Sequence, residues 1–347
     1  MNHLFAREIS RIAIGGITLA IAVSACAQNI RQITTFATGT PLNATQPDSI
    51  TLTKNSVWVE YGNGADSTGL SGSSTIVQYK LNGQVRQTYS IAGSVDGLKV
   101  DPGTGIVWAL QNQDGNSTLS LIDPKEQTVT GPTEYAVPSS TRGYDDVVFL
   151  GDQVFLSYTN PVVSTDPTIQ LLQNRSDPLV VSPILTMGAT GTNLATGQPN
   201  QPTTDTDPDS LKLTPNGDLM LSSEADGELI FVEKPGKPDQ SVSFLLLLDP
   251  NTGLAVSNID DAVFATAKKG TFYLSDTGNN RVLKIEVDQI PVGTLFVSVG
   301  SLNALAVVDI HTGVAYPFVS NLNGPHGLEF VPKGKGDDEN GQDENEQ

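Results

Sequence analysis

Six short segments share one pattern: an ionisable residue, a small or polar residue, then apolar, variable, apolar. They are Asp48-Ser-Ile-Thr-Leu, Asp96-Gly-Leu-Lys-Val, Asp145-Asp-Val-Val-Phe, Asp209-Ser-Leu-Lys-Leu, Asp260-Asp-Ala-Val-Phe and His326-Gly-Leu-Glu-Phe. Their leading positions are separated by 48, 49, 64, 51 and 66 residues. A period of this size with alternating apolar positions describes a supersecondary unit that buries its faces only against copies of itself. The pattern predicts an all-β chain folded as a six-bladed β-propeller, with seven blades as the alternative. If these segments are the innermost strands, Asp48, Asp96, Asp145, Asp209, Asp260 and His326 ring one mouth of the central channel.

A second column supports the first. Val57-Trp58, Val107-Trp108, Val154-Phe155, Leu219-Met220 and Phe272-Tyr273 put a large residue 10 to 13 positions after the leading Asp of the first five repeats. One strand, a turn such as Asp101-Pro-Gly-Thr-Gly105 and a second strand fit that distance. Large residues on second strands fill the wedges between blades, so Trp58 and Trp108 are expected in the core. Third strands are expected over 75–81, 118–122, 228–232, 281–287 and 304–310, and the third repeat lacks a clear one. In the sixth repeat the second strand, at Leu295-Phe296, precedes its leading segment at His326. Circular closure by the C-terminal strand accounts for that order and removes exposed sheet edges. Residues 31–37 then read as a missing outer strand.

Ser275-Asp-Thr-Gly-Asn-Asn-Arg-Val282 resembles the turn between second and third strands of NHL-repeat propellers, and Pro325-His-Gly-Leu328 resembles their blade start. Val95 to Trp108 is similar to blades of the related regucalcin/gluconolactonase propellers. That resemblance implies lactone hydrolysis with a divalent metal held by one Glu, one or two Asn and one Asp on inner strands. Asp96 and Asp209 match the Asp. The Glu-Gly-Pro of the first blade is replaced by Pro47-Asp48-Ser49, and no inner strand begins with Asn-Gly. The three-His zinc site of some NHL-type lyases is excluded, because only His311 and His326 follow the leader segment.

The formal charge is −19, from 19 basic and 38 acidic residues. Such a balance argues against nucleic acid and against an anionic membrane surface as partners. Arg7 and Arg11 precede an almost wholly apolar run over 12–25, short for a membrane span and suited to a signal-peptide core. Val23-Ser-Ala-Cys26 follows and resembles the bacterial lipoprotein box, with Cys26, the single cysteine, as the lipidated residue. Ala25-Cys26-Ala27 also fits ordinary cleavage, giving a secreted or periplasmic soluble protein. The expected organisation is a signal peptide over 1–25, a linker with a candidate strand over 26–44, the propeller over 45–332 and a disordered acidic tail over 333–347.

Loops between second and third strands share a face with the leading residues, which adds Asp66, Asp114, Asp166, Glu224, Asp226 and Asp276 to the acidic side. Asp146 and Asp261, which double Asp145 and Asp260, are read as further acids of that face. Carboxylates gathered there suit Ca²⁺ or another divalent cation. The competing reading makes each acid a turn device that accepts backbone N–H bonds. The long segment over 187–207, leading into Asp209, is read either as a lid or as a solvated excursion. The expected function is an exported, lipid-anchored, monomeric binding module that takes a small molecule or protein at its acidic mouth. The alternative is a metal-dependent lactonase-type hydrolase.

Overall fold

The structure, a computed structural model, describes residues 29–137 and 139–333. The leader segment, Cys26 and the acidic tail beyond 333 lie outside those residues. Among the described residues no helix is long and apolar enough to cross a membrane.

Six sheets form six blades. Their inner strands are Pro47–Thr53, Val95–Val100, Tyr144–Leu150, Pro208–Leu213, Ile259–Phe264 and Pro325–Pro332. Each packs against the next, and the sixth packs back on the first, which closes the ring. Blades 1 to 4 run outward in chain order, as the repeat predicts. The third strand missing from the third repeat is Pro167–Asn174.

Blades 5 and 6 depart from the expected order. Leu295–Val299 pairs with the inner strand led by Asp260. Gly270–Asp276 pairs instead with the strand led by His326. Phe272-Tyr273 therefore belongs to blade 6 and Leu295-Phe296 to blade 5, the reverse of the sequence assignment. Both hairpins present the same apolar-aromatic pattern to an inner strand, so the pattern could not tell them apart. The N-terminal strand Ile30–Thr38 pairs with Arg281–Val287 as the outermost strand of blade 6. Closure thus uses both ends of the chain.

The segment over 187–207 is neither lid nor free excursion. Its hairpin, Thr190–Asn193 with Gln201–Pro202, extends blade 4 through a parallel pairing with the outer strand Ser241–Leu246. The return to Asp209 is tied down by Thr204 N–H to Glu228 Oε1 at 2.7 Å and Thr206 N–H to Asp226 Oδ2 at 2.8 Å. Asp226 is an anchor for this loop. Asp276 likewise serves a turn, accepting Asn323 N–H at 2.7 Å and the Arg281 guanidinium at 2.7 Å.

Six apolar clusters fill the six wedges between blades. Trp58 packs between blades 1 and 2 with Tyr89, Val95 and Leu98, and Trp108 between blades 2 and 3 against Phe149. Both tryptophans are buried.

The inner strands carry the geometry that matters for function. The first five shift register at the leading residue, between Pro47/Ile50, Val95/Leu98, Tyr144/Val147, Pro208/Leu211 and Ile259/Ala262. In blade 6 the shift falls opposite His326, between Leu274 and Asp276. Such bulges re-aim side chains. Here they send the leading residue to the mouth and the following one sideways to the next blade. Ser49 Oγ donates to the Asp96 carbonyl at 2.5 Å. Asp146 Oδ2 accepts Leu211 N–H at 3.0 Å, and Asp261 Oδ2 accepts Leu328 N–H at 2.7 Å. At Gly97 and Gly327 the neighbouring backbone approaches so closely that a methyl group would stand 2.3 Å from the carbonyl oxygens of Asp145 and Asp48. Asp146 and Asp261 are therefore staples between blades rather than acids of the exposed face.

Three positions beyond Asp96, Asp209 and His326, about 10 Å along each strand, Lys99, Lys212 and Glu329 meet those two aspartates. Lys212 Nζ lies 3.0 Å from both Asp261 Oδ2 and Glu329 Oε1. Lys99 Nζ lies 3.7 Å from Asp146 Oδ2 and from Glu329 Oε1. Burial alone would discharge Lys212, but Asp261, Glu329 and Asp146 outweigh it and hold its pKa well above the ordinary value. This plug of two lysines and three carboxyl groups joins blades 2, 3, 4, 5 and 6 at the channel axis. Removing one partner of a buried network leaves uncompensated charge, at a cost of about 3–5 kcal/mol. Lys212→Met should lower the unfolding free energy by that amount in urea titrations, and a loss under about 1 kcal/mol would show that the plug is dispensable.

Candidate functional site at the channel mouth

All six leading residues line one cavity of about 200 Å³, together with Gln113, Asp114, Thr159, Asn160, Asp207 and Glu224. The bulges deliver the ring from the inner strands. Loops between second and third strands add Gln113, Asp114 and Glu224, and Asp207 arrives on the loop into blade 4. Of the further acids expected on this face, only Asp114 and Glu224 line the cavity. Asp66 bonds its own turn through Thr68 N–H at 2.8 Å. Asp166 accepts Val162 N–H at 2.7 Å and pairs with Arg142 at 2.8 Å.

The ring is not a set of identical turn devices, since the backbone bonds expected of it belong largely to Asp146 and Asp261. Asp96 Oδ1 accepts from the Gln113 amide at 3.3 Å, and Asp114 Oδ1 from Asn160 at 2.6 Å. Asp145 is 5% exposed, and one oxygen of Asp145 and one of Asp209 are buried without a hydrogen-bond partner. Gln113, Thr159, Asn160 and Asp207 were not singled out by the sequence. They lie in loops of irregular length, and only the register of the flanking strands turns them inward.

Crowding so many acids into one cavity shifts their proton equilibria. Burial pushes Asp96, Asp145 and Asp209 well above the ordinary carboxylate range, and mutual repulsion adds to it. Burial likewise lifts Asp260 to about 7, with His326 pulling the other way. His326 Nδ1 lies 3.1 Å from Asp48 Oδ1 and 3.1 Å from Asp260 Oδ2. Burial works against the charged ring, yet these two carboxylates prevail and hold its pKa at about 12. At neutral pH His326 is thus an imidazolium clamped between two aspartates. One potential ligand atom from each of Asp48, Asp260 and His326 lies within 4.8 Å of the others; the two carboxylates could share a metal ion as they stand, and the imidazole ring could join them only after giving up a proton.

No protein-family profile matches the chain, and no curated protein matches it. Solved structures do. A streptogramin B lyase aligns over 89% of this chain and 93% of its own at 14% identity and a TM-score of 0.49. The periplasmic gluconolactonase of Pseudomonas aeruginosa aligns over 82% and 88%, at 12% identity and a TM-score of 0.46. A gluconolactonase of Xanthomonas campestris aligns over 86% and 83%, at 12% identity and a TM-score of 0.46. The six-bladed ring is the architecture that the resemblance to regucalcin/gluconolactonase and NHL propellers implied. Likenesses this distant carry no argument about activity, because the fold hosts many unrelated functions.

Proposed function

We propose that the protein is an exported recognition propeller whose acidic mouth binds a hard divalent cation of the calcium or magnesium class and, through it, a small polar ligand. The observation that supports this most is the convergence of Asp48, Asp96, Asp145, Asp209 and Asp260 on one cavity in which His326 is the single cationic lining residue. Buried carboxylates must be protonated, paired or bound to a cation. Oxygen donors in this number suit a hard ion, and Asp48 and Asp260 are near enough to touch the same one. No inner strand carries the regucalcin-type Glu or Asn at its start, and Glu224 and Asn160 reach the cavity from loops instead, so the donor set is this chain's own. The apolar run over 12–25 and Cys26 support export with a lipid anchor. The mass of the mature N-terminus tests that part: a diacylated Cys26 is expected, and an unmodified start at Gln28 would overturn it.

The proton equilibria make the cation reading testable. A carboxyl whose pKa is raised by folding contributes stability that is complete below its unfolded value of about 4 and lost as pH rises through its folded value, about 7 for Asp260. The cation-free protein should therefore melt at a lower temperature near pH 7.5 than near pH 5.5. Saturating Ca²⁺ should raise Tm by several degrees at the higher pH and hardly at all at the lower, since protons and cation compete for the same oxygens. Asp48→Asn and Asp260→Asn should abolish the shift. Failure of Ca²⁺, Mg²⁺ and Mn²⁺ alike to move Tm would sink the proposal.

A second reading is favoured by the imidazole between two carboxylates. As an imidazolium with a pKa of about 12, His326 is no general base at neutral pH. A cation seated on Asp48 and Asp260 would remove the charge that holds its proton and release a neutral ring beside a Lewis acid. Cation-loaded protein would then open a sugar lactone, with a rate that falls at least about 100-fold in His326→Gln. The recognition reading expects hydrolysis no faster than in buffer.

A further inference from the structure

Among the buried acids outside the ring and the plug, Glu60 breaks a pattern that the other blades keep. Glu60 lies on the second strand of blade 1, one residue past Val59, which faces Ile50 of the inner strand. By the same register, blades 3, 4, 5 and 6 carry Ser157, Ser222, Ser298 and Ser275 at this position, and blade 2 carries Leu110. A serine suits the place: Ser157 Oγ and Ser298 Oγ accept the N–H groups of Asp146 and Asp261 at 2.8 and 2.9 Å. Blade 1 breaks the rule with a side chain that is 0% exposed and whose carboxylate has only the Ser74 hydroxyl beside it. Stability alone does not call for a buried carboxylate without a cation where a hydroxyl fits.

Glu60 lines a second cavity of about 250 Å³, which shares Asp48, Asp96, Gln113 and His326 with the mouth and so forms a side lobe of it. Gly62 lies on the lobe wall. A methyl group there would stand 3.8 Å from Glu60 Oε1, 3.9 Å from the Gln46 carbonyl oxygen and 4.0 Å from Gln46 Oε1. Three oxygens thus lie within 4.0 Å of one point on the lobe wall. No Phe, Tyr or Trp lines the lobe.

We propose that this side lobe receives the primary ammonium group of a small organic cation, with Glu60 as its counter-ion and the Gln46 oxygens as its further acceptors. A primary ammonium carries three N–H donors on one compact centre, which matches three oxygens near one point. A hard metal ion asks for six or more oxygens at about 2.4 Å, more than these three; the Gln46 carbonyl, which accepts Gly62 N–H at 2.9 Å, keeps a second lone pair for an N–H donor. A quaternary ammonium has no N–H to offer and would want an aromatic cage. Burial, then the charge of Asp48, raises the Glu60 pKa, while Ser74 and His326 oppose the rise. A cation in the lobe works in the same sense as those two. The assignment rests on the mouth being a ligand site and names what that ligand carries: a primary amine at one end and oxygen groups toward the mouth.

Gly62→Ala places a methyl group within 4.0 Å of all three oxygens with nothing nearer than 3.8 Å, so the variant should fold. Glu60→Gln removes the charge and keeps the shape. Binding of isotope-labelled methylammonium to the full chain, followed by NMR line broadening near pH 7.5, is expected to weaken at least about tenfold in both variants. Tetramethylammonium should not bind. Tb³⁺ luminescence at the mouth should keep its affinity in Gly62→Ala within about twofold. Equal methylammonium binding in all three proteins, or none in the wild type, overturns the proposal. So does a parallel loss of Tb³⁺ in Gly62→Ala, which would make the lobe part of the cation site. Wild type that binds methylammonium selectively and no metal would sink the mouth's cation and leave the lobe standing.

Discussion

The structure depends on a seam. Six inner strands must meet around an axis where each has only its neighbour's backbone to touch, and the residue after each leading position makes that contact. Where the backbones meet directly, Gly97 and Gly327 leave room. Where they stand apart, Ser49, Asp146 and Asp261 reach across to a carbonyl or an N–H of the next blade. Burying two carboxylates at the axis is costly unless cations balance them. The plug follows from that requirement, with Lys99 and Lys212 bringing the charge and Glu329 bridging the two. The same bulges that turn these residues sideways turn their predecessors upward, so the acidic mouth is a geometric by-product of how the ring is sewn together.

That link explains why the fold was easily read from the sequence and the roles of its acids were not. The leading column counts blades, because the bulge and the strand that follows demand the same residue types each time. The sequence reads all four doubled aspartates as acids of the mouth face. Only the first of each pair is; the second is structural, since it answers a gap to the next blade that no single-repeat pattern encodes. Lys99, Lys212 and Glu329 occupy the variable position of the motif and became meaningful only when six strands were laid side by side. The order of blades 5 and 6 was illegible for another reason: two hairpins with the same periodicity compete for two inner strands, and tertiary closure chooses between them.

The residues with the strongest functional character are those the repeat does not require. His326 replaces a carboxylate and is locked as a cation by Asp48 and Asp260. Glu60 replaces a serine and has no cation bonded to it. Both face the same pair of connected cavities: His326 where blade 6 meets blade 1, and Glu60 on the face of its strand that Trp58 shares toward blade 2. In a symmetrical scaffold, departures concentrated on one side give the channel a direction, so a ligand entering the mouth meets different chemistry toward blade 1 than toward blade 4.

The exchange of hairpins between blades 5 and 6 bears on how this chain reaches its native state. The inner strand of blade 5 is synthesised before the hairpin of blade 6, and the rest of blade 5 comes after it. Neither blade can be completed alone, and blade 6 also waits for Pro325–Pro332 to pair with Gly270–Asp276 while Ile30–Thr38 returns from the far end of the chain. Such long-range pairings make closure slow relative to the local hairpins of blades 1 to 4. Once closed, the chain has passed between these two blades three times, at 264–270, 287–295 and 319–325. The interleaving therefore acts as a clasp at the joint of a circular molecule.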